Sequence, residues 1–347
     1  MTDNLKELIE RGFAQIARLP PMNDIELSQL DNLTAYTVPI IAHDYSAKTP
    51  LMWNSVYEKL GLNLRNIMIV ANPENIIQIL DTLKRDPKYM GGGAGVGLKE
   101  KVIPYLDRIE PQDLKAVNII VKEDGKLVGY NTDSQGLYKS IEDALIKENK
   151  KVANSRFLIF GAGGVAKEFA SLLAKNDAER IVIINRTYSK AVALAYSLNH
   201  EYNRDVAYGA PEDMTRGLTL NTLKPLDAII NVSDKGSDGP LEKTSAFAPV
   251  GEYNNTISID ILRLLKHWNP NVVIVDIVMT KSGKTKMLDH VESAGFKNIV
   301  DGNPMVINQA APAYKLIEAA HKNLHHSTLP EQEVWKIMYD AVNNYKA

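Results

Sequence analysis

Phe157-Leu158-Ile159-Phe160-Gly161-Ala162-Gly163-Gly164-Val165-Ala166 is the stretch that decides the fold of this chain. Four apolar residues run directly into a Gly-x-Gly-Gly-x-Ala turn, and a helical pattern follows to about Lys175. Strand, tight turn and helix in that order is the context in which a glycine fingerprint cradles a dinucleotide. Gly161 permits the turn and Gly163 lets the backbone approach a pyrophosphate. The N–H groups opening the helix carry partial positive charge toward the phosphates. The second strand ends in Asn185-Arg186-Thr187, about 20 residues on, where an NAD site places an acid on the ribose 2′-hydroxyl. Here the Arg186 guanidinium stands instead, with Lys190 one helical turn later, so the expected cofactor is NADP. The alternative, a glycine turn that only ends a strand beside a solvated Arg186, requires all these features to coincide by accident.

Outward from that stretch, strand and helix patterns alternate. Downstream the spacing predicts a helix over 164–175, a strand over 180–184, a helix over 188–199, strands over 228–232 and 272–278, and helices over 286–294, 304–319 and 331–345. Upstream it predicts an amphipathic helix over 5–16, packed on the body or on a partner subunit, and a β-like run over 35–41. A helix over 50–60, a strand over 67–70 and a helix over 73–84 follow, then a glycine-rich stretch and a helix over 98–106. Strands over 117–121 and 126–130 are joined by Asp124-Gly125, a hairpin turn signal, before a helix over 134–148. This alternation argues for an α/β protein with a mostly parallel sheet under helices. The polar stretch 147–156 marks a boundary near residue 150. The expected domains are thus 1–150, with 1–34 as a helical extension, then a Rossmann domain over 151–303 and helices over 304–347.

A chain of 347 residues with 45% apolar composition fits two domains of roughly 150 residues each. Lys and Arg (40) nearly cancel Asp and Glu (42) to a net charge of −2 without a basic run, which argues against nucleic acid or an anionic membrane as partner. With no cysteine, thiolate nucleophiles, disulfides and Cys metal sites are excluded, and the seven histidines are scattered without an i, i+4 pair next to acidic residues. His43 and His290 read as structural or surface residues. The N-terminus has neither a signal-peptide pattern nor a membrane span, so a small-molecule substrate and a cytoplasmic location are expected, and the terminal helices allow a homodimer.

Two segments of the first half carry ionisable groups at the ends of glycine-flanked elements: Gly91-Gly92-Gly93-Ala94-Gly95-Val96-Gly97-Leu98-Lys99 and Gly129-Tyr130-Asn131-Thr132-Asp133. A Lys99–Asp133 pair would place an ammonium on a substrate oxygen and a carboxylate to tune or relay its proton. The same residues also read as a surface lysine and a helix-capping aspartate.

With these motifs in order, the chain resembles the shikimate and quinate dehydrogenase family over roughly residues 38–320. Leu98-Lys99-Glu100-Lys101-Val102-Ile103-Pro104-Tyr105-Leu106-Asp107 is similar to the family's lysine segment. Ala116-Val117-Asn118 and Asn131-Thr132-Asp133 are similar to its substrate asparagine and catalytic aspartate. The glycine turn with Asn185-Arg186-Thr187 and Lys190 is similar to its NADP site, Asn231-Val232-Ser233 to its nicotinamide-side loop, and Asp301-Gly302 with Asn308-Gln309-Ala310-Ala311 to its closing segment. The resemblance implies an N-terminal catalytic domain, a C-terminal Rossmann domain with a cleft between them, and a last helix returning to the first domain. It also implies Lys99 and Asp133 as the catalytic dyad, Thr49, Asn118 and Gln309 as substrate-binding residues, and Ile277 and Gly302 among those at the cofactor. On their own, Thr49 also reads as a helix N-cap before Pro50, and the two amides as backbone-bonding groups.

Three departures bear on the substrate. The family's S-x-S-P signature stands here as Ala47-Lys48-Thr49-Pro50, its N-V-T-x-P-x-K run as Gly93 to Lys99, and a tyrosine after the last strand as Met279. Three polar contacts removed together, each worth about 1 kcal/mol or more, are expected to lower affinity for shikimate by about two orders of magnitude or more. Glycines 93, 95 and 97 are expected to enlarge the space above Lys99, favouring a bulkier or less polar substrate. Lys48 reads as surface-exposed, or as a replacement anion anchor. The leading expectation is an NADP-dependent oxidoreductase acting on a cyclic hydroxy or keto acid other than shikimate. A folate-type one-carbon dehydrogenase and an NADP-binding regulator or scaffold with a decayed substrate site are the alternatives.

Overall fold

The apolar run before the glycine turn forms the strand Arg156–Phe160, and its side chains alternate between two cores. Phe157 and Ile159 pack with Phe169, Leu173 and Ile181, whereas Leu158 and Phe160 pack with Phe247, Leu262 and Ile274. A strand buried on both faces reads as a continuous apolar run, and it lies in the middle of a sheet covered by helices. The computed structural model describes residues 4–95, 97–112, 114–212, 225–280, 282–324 and 328–345.

The chain divides into two compact units, Met1–Thr132 with Ile307–Ala347, and Asp133–Val306. The dividing point therefore falls at 132/133 instead of near 150, because the helix Asp133–Lys147 packs Leu137, Ile141 and Leu145 into the core beneath the nucleotide strand. The second division falls inside the helix Asn303–Ala320.

In the Asp133–Val306 unit six strands form one parallel sheet in the spatial order Ala207–Pro211, Arg180–Asn185, Arg156–Phe160, Ala228–Asn231, Val273–Asp276, Ile299–Val300. Numbered along the chain within this sheet, the order is 3-2-1-4-5-6, that of a Rossmann domain. The order reverses between Arg156–Phe160 and Ala228–Asn231, which is where such sheets bind dinucleotides. The edge strand Ala207–Pro211 is absent from the sequence expectation: Gly-Ala-Pro reads as loop, yet Gly209 is needed there. A Cβ on it would lie 2.6 Å from the backbone of Ala191 on the helix Tyr188–Tyr202. The helix Asn254–Trp268 is likewise absent from that expectation, although Ile261, Leu262 and Leu265 bury one face of it.

The other unit holds a six-stranded mixed sheet and a three-stranded one. Several expectations change here. The predicted 5–16 helix stops at Glu10, because Gly12 turns the chain at φ +77° and Ala14–Ile16 pairs antiparallel with Ile69–Ala71. The 35–41 run splits into Ala35–Thr37 and Ile40–Ile41, in different sheets, around Pro39, which has no N–H to donate. No helix forms over 98–106: Pro104 leaves a turn and a short 3-10 helix, Ile103–Tyr105. The hairpin Ile119–Glu123 to Lys126–Tyr130 turns at Asp124 and Gly125, both at positive φ, as a two-residue turn of that hand requires.

The glycine-rich stretch contains a strand, Tyr89–Gly93, antiparallel to Ile119–Glu123. A Cβ on Gly91 would fall 2.3 Å from the Ile120 carbonyl oxygen, and one on Gly92 would fall 2.1 Å from that of Val38. These glycines let neighbouring backbones approach each other.

Candidate active site

The turn after Arg156–Phe160 is held open by backbone geometry. Gly161 sits at φ +116°, a region that L side chains rarely adopt, and its N–H donates to the Ile184 carbonyl at 2.8 Å. A Cβ on it would meet Val232 and Ser233 backbone atoms at 3.1 Å. Gly163 then caps the helix Gly164–Lys175 without a side chain, and the first helical bond runs from the Lys167 N–H to the Gly163 carbonyl. The amides ahead of Lys167 therefore have no partner within the helix, the arrangement that receives phosphate oxygens. Nothing lies within 4 Å of where a Cβ on Gly163 or Gly164 would stand, so a ligand can approach this backbone closely.

Beside the loop is a cavity of about 260 Å³, bordered by Ala162, Asn185, Arg186, Thr187, Lys190 and Ser233 among others. The Asn185 amide donates to the Thr187 carbonyl at 2.9 Å, fixing the bend that leads into the helix Tyr188–Tyr202. Arg186 and Lys190 are exposed cations at its rim. Open glycine backbone with two cations at one end fits the phosphates of a dinucleotide carrying a 2′-phosphate. Val165 and Ala166 lie in the first helical turn, Ala166 buried in the core.

Across the switch point, Asn231 is fully buried and organises its loop. Its Oδ1 accepts from the Ser233 N–H (3.0 Å) and hydroxyl (2.6 Å), and its amide donates to Asp276 Oδ1 at 2.9 Å. Asp276 also accepts from the Thr285 hydroxyl at 2.6 Å and the Val278 N–H at 3.2 Å. Burial outweighs these bonds and raises the Asp276 carboxyl to about 6. The Ile277 N–H meets the Asn231 carbonyl, and Gly302 packs where a Cβ would be 2.7 Å from the Met279 sulfur and 2.8 Å from the Ile277 carbonyl oxygen. Met279 itself is exposed.

Of the residues anticipated on the substrate side, Asn118 and Gln309 come together. The Asn118 amide donates to the Thr132 hydroxyl (3.0 Å) and to Gln309 Oε1 (3.2 Å), and its Oδ1 accepts from the Thr132 N–H at 2.9 Å. The Thr132 hydroxyl in turn faces the Gln309 carbonyl at 3.0 Å. Thr132 is not among the site residues the sequence motifs single out; its place beside Asp133 is the signal that could have found it. Asn308, next to Gln309, accepts from the Trp335 indole at 2.6 Å, so the helix Glu331–Asn344 braces this segment.

Lys99 is half-buried, and its carbonyl accepts from the Val117 N–H at 2.9 Å. Asp133 is buried and opens the helix Asp133–Lys147, one peptide bond after Thr132. Lys99 belongs to the Met1–Thr132 unit and Asp133 to the next. Thr49 is the first residue of the helix Thr49–Lys59, one position inside the cap, and Lys48, its cap residue, is half-buried instead of exposed. Ala47 packs its methyl among Ala17, Ile41 and Met68. The expected enlargement at Gly95 is not found: a Cβ there would lie 2.7 Å from Cγ2 of Ile41, which fills the space. Gly93 would make ordinary contacts, and Val96 lies outside the described residues.

Glu212 and Lys235 also border the nucleotide cavity, and sequence reasoning missed both. Lys235 is buried, its Nζ 2.5 Å from Glu212 Oε1 and donating to the Ala248 carbonyl. Burial lowers its pKa, opposed by Glu212. Nothing local in Ser233-Asp234-Lys235-Gly236 signals a buried lysine. Among the described residues there is no metal-binding cluster, and no helix is long and apolar enough to cross a membrane.

Comparison with known proteins bears on the whole arrangement. A family model described as shikimate / quinate 5-dehydrogenase matches residues 144–212, and one described as the shikimate dehydrogenase substrate binding domain matches residues 40–120. The NADP(+) shikimate dehydrogenase of Halothermothrix orenii is 31% identical over 270 residues, 77% of this chain and 85% of the relative. That of Methanocaldococcus jannaschii is 30% identical over 286 residues, 82% and 90% of the two chains. A crystal structure of shikimate dehydrogenase in complex with NADP+ superposes with a TM-score of 0.65 at 25% identity, covering 89% of this chain and 96% of that one.

Proposed function

The chain belongs to the shikimate and quinate dehydrogenase family, and from that premise we propose that it moves a hydride between NADP(H) and a hydroxyl or keto carbon of a cyclic, shikimate- or quinate-related acid other than shikimate. The observation that carries the reading is the cavity at the Rossmann switch point, with open backbone at Gly163 and Gly164 and the cations Arg186 and Lys190. The bound cofactor supplies or accepts the hydride.

The rest falls to the chain's own residues. The first turn of the helix Gly164–Lys175 holds the pyrophosphate, and Arg186 with Lys190 holds the 2′-phosphate. Asn231 keeps Val232 and Ser233 in place beside the nicotinamide, with Ile277 and Gly302. Asn118, Gln309 and Thr49 orient the substrate. Lys99 donates a hydrogen bond to the reacting oxygen, and Asp133 exchanges the proton with it.

Ala47 supports a substrate other than shikimate. Where the family pattern has a hydroxyl, this chain buries a methyl in an apolar cluster, so one carboxylate-binding group is replaced by packing. The test is NADP+ reduction with shikimate, quinate, aminoshikimate and a panel of cyclic hydroxy acids, beside Lys99→Ala. A panel member is expected to exceed shikimate in kcat/KM by about a hundredfold or more, and Lys99→Ala to lose about 10²–10⁴-fold in kcat. Shikimate as the best substrate would overturn the substrate proposal, and an unimpaired Lys99→Ala the role of the lysine.

A further inference from the structure

Three charged side chains bordering the nucleotide cavity, Glu212, Asp234 and Lys235, have no place in the glycine fingerprint or in the cation pair after the second strand, and two of them, Glu212 and Lys235, are paired with each other. Glu212 directly follows the edge strand Ala207–Pro211, and Lys235 lies in the loop organised by Asn231. Both border the same cavity as Arg186 and Lys190. Lys235 is 6% exposed, and its ammonium is fixed between Glu212 Oε1 at 2.5 Å and the Ala248 carbonyl.

A carboxylate in this position is unfavourable for a site that receives a phosphate dianion. Like charges facing one small cavity repel. An acidic side chain near the adenosine ribose is also the device by which NAD sites hold the free 2′-hydroxyl. Glu212 is kept from either effect by a partner that cannot swing away. Lys235 has little solvent to move into, and the positive charge of Arg186 also acts on it, which places all three groups in one electrostatic neighbourhood.

We propose that Lys235 is a specificity-determining residue of the cofactor site: by neutralising Glu212 it keeps the cavity beside Arg186 receptive to the ribose 2′-phosphate, and without it Glu212 turns the site toward the unphosphorylated dinucleotide. This rests on the NADP reading above. Lys235 acts through Glu212, and the pair sets the ratio of NADPH to NADH affinity while making no chemical step itself.

The experiment is calorimetric titration of the full chain with NADPH and with NADH, for the wild type, Lys235→Met, Glu212→Gln and the double variant. The wild type is expected to prefer NADPH. Lys235→Met is expected to lower the NADPH-to-NADH affinity ratio by about tenfold or more, and adding Glu212→Gln to return it to within about threefold of wild type, the signature of coupled sites. A purely structural lysine would weaken both cofactors equally and leave the ratio unchanged, which would overturn the proposal. Should Lys235→Met fail to fold, Glu212→Gln alone decides: removing the carboxylate is expected to raise the ratio by about threefold or more, and an unchanged or lower ratio overturns the proposal. A wild type with no preference for NADPH would overturn the NADP reading together with this one. A wild-type preference untouched in every variant would overturn the role of the pair alone.

Discussion

Alanine at Gly163 and alanine at Gly161 should separate two roles of one turn. Gly163 has φ −83° and ψ −170°, which alanine adopts without strain, and its Cβ would have no neighbour within 4 Å. Gly163→Ala is therefore expected to change stability by no more than about 0.5 kcal/mol. Its methyl group would, however, occupy the space through which the pyrophosphate approaches the helix. Losing one charge-assisted bond there, worth about 1.5–3 kcal/mol, weakens NADPH binding roughly ten- to hundredfold. Gly161→Ala differs, because φ +116° costs about 1–3 kcal/mol for a side-chain-bearing residue. Its Cβ would also press at 3.1 Å on Val232 and Ser233, whose N–H groups are bonded to Phe160 (2.9 Å) and Asn231 (3.0 Å). A combined cost of about 2–4 kcal/mol lowers the melting temperature by roughly 4–16 °C in a unit of this size. Thermal melts and NADPH titrations of both variants measure the difference. Wild-type NADPH affinity in Gly163→Ala would refute the placement of the pyrophosphate, and equal stability of the two variants would refute the strain argument.

Arg186→Gln is expected to weaken NADPH by about ten- to hundredfold while leaving NADH within about threefold, as removal of a guanidinium–phosphate pair should; equal losses for both would show that Arg186 does not read the 2′-phosphate. Asn118→Ala removes the acceptor of the buried Thr132 N–H and a donor to Gln309, and is expected to cost about 2–3 kcal/mol in chemical denaturation. A loss under about 0.5 kcal/mol would mean that the network is not formed in solution. Asp276 gives a pH prediction. Its carboxyl titrates near 6 when folded against an ordinary value of 3.8, so between about pH 4 and 6 the folded chain holds the extra proton. The stability from this group is full below about pH 4 and is lost as pH rises through 6, a difference of about 2 kcal/mol between pH 4.5 and 7.5. Asp276→Asn should remove that slope, and denaturation curves at the two pH values with an unchanged difference would refute it.

The nucleotide half is legible in the sequence because its signals are local. The strand Arg156–Phe160, the positive φ of Gly161, the helix Gly164–Lys175 and the cations Arg186 and Lys190 follow from side chains within a few residues of one another. The Asp124-Gly125 hairpin is readable for the same reason. The glycine-rich stretch is not. Its residues suggest freedom and space, yet Gly91, Gly92 and Gly95 are set by the approach of Ile120, Val38 and Ile41, which are remote in sequence. Over 98–106 the apolar spacing points to a helix, and Pro104, in plain view, is what prevents it.

By itself, then, the sequence determined the Rossmann turn and the cations Arg186 and Lys190 after its second strand, and, set beside the family pattern, the alanine at position 47, since each depends on residue type and short-range backbone geometry. Only the tertiary structure decided that Ala47 faces an apolar cluster, that Gln309 returns to Asn118 and Thr132, and that Lys235 is buried against Glu212. Those pairings depend on which strands lie side by side and which backbones come within van der Waals reach. Chain separations of 177 residues between Thr132 and Gln309, and 191 between Asn118 and Gln309, leave no periodicity from which to read them.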